Sequence, residues 1–158
     1  MMRIGVGGDH AGFPLKDTVV NALKSMGHEV IDYGSYDPNP VDFPDITRSV
    51  CAGVLSGEVD RAVMVCGTGV GACIAANKIP GIRASVCHDI YSAHQCVEHD
   101  DVNVMCVGAQ IIGPVLLVEL LESFLRAEFS TDEEFRRRVR KLHEMELHHY
   151  SLKPSASE

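Results

Sequence analysis

Five short apolar runs, each followed by a stretch with helical spacing, limit what this chain can fold into more than any other feature of it. The runs are RIGVGG (3–8), EVIDYG (29–34), RAVMVC (61–66), RASVC (83–87) and VNVMCVG (102–108), all of strand length. After the first comes PLKDTVVNALKSMG, where Pro14 suits an opening turn, Leu15, Val19 and Leu23 share a helical face, and Gly27 supplies the stop. ITRSVCAGVLSG, GACIAANKI, DIYSAHQCVEH and PVLLVELLESFLRAEF continue the alternation as helices. YDPNPVDFPD (36–45) reads as a loop because its three prolines oppose regular structure. Strands separated by helices pair in parallel, since the crossover returns the chain to the end from which it started. The expected fold is therefore an α/β class αβα sandwich with a five-stranded parallel sheet. A further charged helix is expected from about Thr131 to His148, with Val139, Leu142 and Leu147 too sparse to bury it fully on its own domain. One domain over 1–150 and a flexible tail, SLKPSASE (151–158), complete the reading.

Composition excludes several functions. The chain has 158 residues, 46% of them hydrophobic, which suits one core. A formal charge of -8 argues against nucleic acid or an anionic membrane as partner, with the basic run RRRVRK (136–141) as the local exception. No apolar stretch is long enough to span a bilayer, and the amino terminus does not read as a signal peptide, so the expected compartment is the cytoplasm. The six cysteines form no CxxC pair and read mostly as small buried hydrophobes. The eight histidines match no compact zinc spacing, so no metal is expected.

Ligands of such sheets bind beyond the carboxyl ends of the strands, near the point where strand order reverses. The first run delivers Asp9 and His10 there, the third delivers Cys66 and the loop GTGVG, and the fourth delivers Cys87, His88 and Asp89. With His99, Asp100 and Asp101 in EHDD, a thiol, acids, imidazoles and a glycine nest are expected to meet on one edge. GTGVGA also fits the dinucleotide fingerprint G-x-G-x-x-G/A, but it follows the third strand and leaves no chain for a substrate domain. The other reading of Gly67, Gly69 and Gly71 is an anion hole, in which converging backbone N–H groups hold a developing oxyanion. A thiolate beside such a hole is a nucleophile or a general base. Abstraction of a proton next to a carbonyl needs that pairing, while a purely structural Cys66 stays open.

GGDHAGFPLK, DFPD, CGTGVGACIAANKIPGIRAS and EHDDVNVMCVGAQIIG, in this order and spacing, resemble the type B ribose-5-phosphate isomerase family, which includes galactose-6-phosphate isomerase subunits. The resemblance runs from Arg3 to about His148. It implies a Rossmann-like fold and an aldose–ketose isomerase of the pentose phosphate pathway that uses neither metal nor other cofactor. It also implies a homodimer or homotetramer with active sites at the subunit interface. Carried over by position, Cys66 moves a proton between C1 and C2 of a sugar phosphate, and the Gly67 to Gly71 amides hold the enediolate. Thr68 hydrogen-bonds nearby, His99 opens the furanose and Asp9 contacts hydroxyls. His10 touches phosphate, and Arg138 reaches phosphate in the partner's site.

The chain departs from the family at Gln110, where Arg is usual, and at Glu134 and Phe135, where Arg-His is usual. Phe43 stands in place of Tyr, and Asp100 in place of Asn. These changes remove positive charge or add negative charge at three positions, while Arg136, Arg137 or Arg140 could compensate. A galactose, allose or tetrose phosphate is therefore an alternative to ribose 5-phosphate. A binding module without turnover is the alternative of another class.

Overall fold

The computed structural model describes residues 1–148; the expected tail over 151–158 lies outside them. Its elements, in chain order, are β1 (Arg3–Gly8), α1 (Phe13–Ser25), β2 (Glu29–Asp32), α2 (Phe43–Leu55), β3 (Arg61–Cys66) and α3 (Val70–Asn77). They continue with β4 (Ala84–Val86), α4 (Ile90–Asp100), β5 (Val104–Gly108), α5 (Pro114–Arg126) and α6 (Glu133–Leu147). The five strands form one parallel sheet in the order β2-β1-β3-β5-β4, as the βα alternation requires. From β1 the chain goes first to one side and then to the other, so the order reverses between β1 and β3. That is where such sheets open a crevice at their carboxyl ends.

Strand side chains alternate between the faces and thereby divide the core. Ile4, Val6, Val63, Val65, Met105 and Val107 pack with Leu15, Val19 and Leu23 of α1, Val97 of α4, and Leu117, Leu120, Leu121 and Phe124 of α5. Ala62, Met64, Cys66, Val104 and Cys106 face the other way, onto Val50 and Cys51 of α2 and Ala72 and Ala76 of α3. Cys66 is thus the last inward position of its strand, at the border between this second core and the crevice.

The prolines of 36–45 do not exclude helix throughout. α2 opens at Phe43 with Asp42 as its N-cap and Pro44 in the first turn, where the missing N–H would have had no intrahelical acceptor. α6 buries none of its residues, and Leu142, Met145 and Leu147 are exposed. It starts beside α4, and its far end is tied by a Gly81 N–H donated to Glu146 Oε2 at 3.1 Å. Between α6 and the start of β4 lies a groove of about 370 Å³ that includes Ile82, Cys96, Leu142 and Met145.

Candidate active site

The turn after β3 supplies the chemistry. Gly69 adopts φ +79, a left-handed conformation that glycine takes at little cost, and forms the N-cap of α3. This bend brings the Gly69 N–H back onto Cys66 Sγ at 3.0 Å. Cys66 is 5% exposed, so this amide, rather than bulk water, is the sulfur's hydrogen-bond donor. Val70 N–H goes to Thr68 Oγ1 at 3.4 Å. Among the described residues, the first-turn N–H groups of Gly71 and Ala72 have no hydrogen-bond partner, leaving two donors at the positive end of a helix. Such donors can hold an oxyanion beside a thiolate base.

The surrounding loops close this edge of the sheet. After β1, the buried Asp9 accepts the Gly12 N–H through Oδ1 at 2.9 Å. A Cβ at Gly12 would stand 1.9 Å from the Val65 carbonyl oxygen, so only glycine lets α1 start this close to the end of β3. His10 is exposed, and its Nδ1 accepts the Val41 N–H at 3.3 Å. His10 lines a cleft of about 460 Å³ together with Val41, Ile46, Asp42 and Asp45. The Phe43 ring covers Gly71, where a Cβ would lie 2.9 Å from it. Gln110 follows β5, donates its N–H to Gly67 O at 3.0 Å and sets its side chain against Gly67. Asp9, His10, Phe43, Cys66, Gly67, Thr68, Gly69, Gly71 and Gln110 therefore share the carboxyl edge.

His99, Asp100 and Arg138 do not. α4 runs back from the carboxyl end of β4, so its last turn lies at the opposite, amino-terminal edge of the sheet. There Asp101 pairs with Arg83, the residue before β4, at 2.8 Å. The expectation that EHDD joins the thiol on one edge is corrected: within one chain, the direction of α4 forbids it. At this second edge Phe135 stacks on His99, and Arg138 pairs with Glu134 at 3.6 Å. The residues singled out in the sequence thus form two clusters at opposite edges of the sheet.

One residue of the carboxyl edge is missed by sequence reading. Lys16 is buried, with its Nζ 2.9 Å from Asp32 Oδ1 and hydrogen-bonded to the Ser35 carbonyl. It ties the loop after β2 down beside Gly8, whose N–H and C=O bond to Gly34 and Ser35. Its position on the helical face of Val19 and Leu23 was the available signal. His88, which the sequence also brings to this edge, accepts the Gly108 N–H through Nε2 at 2.8 Å and so holds the end of β5 against the Thr68 backbone.

Acceptance at Nε2 requires a neutral ring with the proton on Nδ1. Burial holds the His88 pKa below its ordinary value, with Asp89 opposing. The folded state therefore binds this proton less readily than the unfolded chain. Stability is complete above the unfolded value of about 6.5 and declines as pH falls through it. Thermal melts should show Tm falling as pH is lowered from about 7.5 to about 5.5, in part from this group. His88→Gln, which keeps an acceptor without a titration, should flatten that part of the curve; an unchanged slope would show that His88 does not contribute.

Among the described residues, no three His, Cys, Asp or Glu side chains converge as metal ligands, and no helix is long and apolar enough to cross a membrane. All six cysteines are free thiols. A parallel αβα sheet with a thiol and unpartnered helix amides at its switch point has the form of an enzyme that handles small anionic substrates.

The chain belongs to the Ribose/Galactose Isomerase family, whose model matches residues 4–142. It is 42% identical to the Ribose-5-P isomerase B of Listeria innocua over 129 residues, 82% of this chain and 87% of the relative. It is also 42% identical to the D-erythrulose-4-phosphate isomerase of Pectobacterium atrosepticum over 132 residues, 82% of this chain and 86% of the relative. The solved Ribose-5-Phosphate Isomerase B of Clostridium thermocellum superposes with a TM-score of 0.91 at 42% identity, covering 94% of this chain and 100% of that one. The protein is a sugar-phosphate aldose–ketose isomerase of the ribose-5-phosphate isomerase B kind.

Proposed function

We propose that the protein interconverts ribose 5-phosphate and ribulose 5-phosphate, with Cys66 as the base. The observation that carries this reading is Cys66 Sγ, held by the Gly69 N–H beside the two unpartnered amides of α3. His99 of a second copy first opens the furanose by exchanging protons with the ring and anomeric oxygens. The Cys66 thiolate then takes the C2 proton of the open aldehyde, and the electron pair moves onto O1, held by the loop amides. Thr68 lies within reach of the same oxygens. The O2 hydroxyl proton passes to O1, and the proton on sulfur returns to C1 as O2 becomes the ketone, so no electrons leave the substrate.

Asp9 addresses the sugar hydroxyls, with its carboxylate fixed by the Gly12 N–H. His10 and the second copy's Arg138 are assigned to phosphate, Phe43 to the wall of the pocket, and Gln110 to its floor beside Gly67. Asp100 ends the helix that carries His99. Two copies satisfy both half-sites at once, since a twofold axis brings each carboxyl edge to the other chain's α4 end.

A shorter sugar is the second reading. Asp42 and Asp45 share the cleft of His10, and Gln110 offers no charge, so the carboxyl edge is poorer in cations than a phosphate site usually is. The relative that acts on D-erythrulose 4-phosphate is as similar as the ribose enzyme of Listeria innocua. Initial rates on ribose 5-phosphate, erythrose 4-phosphate, allose 6-phosphate and galactose 6-phosphate decide between them. The expected best substrate is ribose 5-phosphate. A faster tetrose or hexose replaces the substrate and keeps the chemistry; folded protein inert on every sugar sinks the reading.

A further inference from the structure

His99 lies in the last turn of α4, with neither ring nitrogen hydrogen-bonded to any described residue. What holds its imidazole is Phe135, whose ring stacks on it with centroids 4.0 Å apart and planes 15° apart. Phe135 belongs to the first turn of α6, and the segment entering that helix is fixed to α4 by a Ser130 N–H donated to Glu98 O at 2.9 Å. The Arg138 guanidinium lies over the same Phe135 ring, 5.6 Å from its centroid, and is itself tied to Glu134. The stack is therefore anchored from both helices.

We propose that Phe135 is a positioning residue for His99 in the ring-opening step, a role that rests on the proposed isomerase reading. An unsupported imidazole at a helix end turns freely about its Cβ–Cγ bond. A stacked aromatic face restricts that turn, keeps water off one side and leaves both nitrogens at the open edge of the ring. A hydrogen-bonding partner would have occupied one nitrogen; an apolar face occupies none, so the ring remains able to give a proton at one oxygen of the furanose and take one at the other. The benefit is confined to sugars that must be opened. The later proton transfer at Cys66 of the facing copy acts on the opened aldehyde and does not use the orientation of His99.

Phe135→Leu keeps apolar bulk under α6 and removes the aromatic face, whereas Phe135→Tyr keeps both. Two sugars separate positioning from packing. Ribose 5-phosphate is a furanose; 4-deoxyribose 5-phosphate lacks the oxygen that closes the ring and remains an open aldehyde with C1, C2 and phosphate unchanged. Phe135→Leu is expected to lose about 10-fold in kcat on ribose 5-phosphate, the scale of one aromatic pair, with KM and the rate on the 4-deoxy sugar each within about twofold. Phe135→Tyr should restore the ribose 5-phosphate rate. Equal losses on both sugars, no loss on ribose 5-phosphate, or failure of the tyrosine to restore it overturns the positioning role and leaves the isomerase reading intact. If the unmodified folded protein is inert on both sugars, the isomerase reading itself fails and this role fails with it.

Discussion

Cys66→Ala is expected to lower kcat on the preferred sugar by ~10²–10⁴-fold while the protein still folds. The sulfur combines burial, a dedicated amide donor and a position beside the unpartnered first-turn amides of α3. Its removal takes away the base and strands the Gly69 N–H, but it deletes only one heavy atom from the margin of the core. The stability cost should be about 1 kcal/mol, or roughly 2–4 °C in Tm. Cys66→Ser sharpens the test. A serine oxygen can still accept the Gly69 N–H, yet a hydroxyl is a far weaker base near neutral pH, so this variant should melt like the unmodified protein and stay inactive. Rates alongside circular dichroism melts check both; more than a tenth of normal activity in the folded Ala variant would remove the thiol from the mechanism.

Mixing two dead variants should restore turnover. The variants are Cys66→Ala and His99→Ala; Cys66 and His99 lie at opposite edges of the sheet within one chain. If each working site joins the carboxyl edge of one copy to the α4 end of another, a mixed dimer has one site with both lesions and one with neither. After exchange of equal amounts, half of the dimers are mixed and half of their sites are intact, so activity should recover to about one quarter of normal from a twofold assembly. Ribose 5-phosphate is the sugar to use, because a tetrose 4-phosphate has its O4 esterified and needs no ring opening. Recovery no greater than the sum of the two variants, with subunit exchange verified by mass, would mean that one chain completes its own site or that His99 takes no part.

Much of this molecule is legible in its sequence because the signals are local. Leu15, Val19 and Leu23 announce α1 by spacing alone, and all three are buried. The apolar run ending in Cys66 reads as a strand that stops at a glycine turn, and the turn places a helix amide on the sulfur. YDPNPVDFPD misleads over its last residues because a proline that breaks a helix interior is at home in a first turn, as Pro44 is. The grouping of His99 with Cys66 fails for another reason. Periodicity identifies α4 as a helix, but the edge at which its end stands depends on its direction against the sheet.

By itself, the sequence determined the strands, the helices and the thiol–glycine turn from hydrophobic period and local backbone chemistry, and the parallel pairing from the helical crossover between successive strands. Only the tertiary structure decided the strand order, the burial of Lys16 against Asp32, the His88 acceptor for Gly108, and the stacking of Phe135 on His99. Each of these joins residues whose distance in the chain says nothing about their distance in space. The side chains meet because packing both faces of a twisted parallel sheet leaves few places for each helix to end.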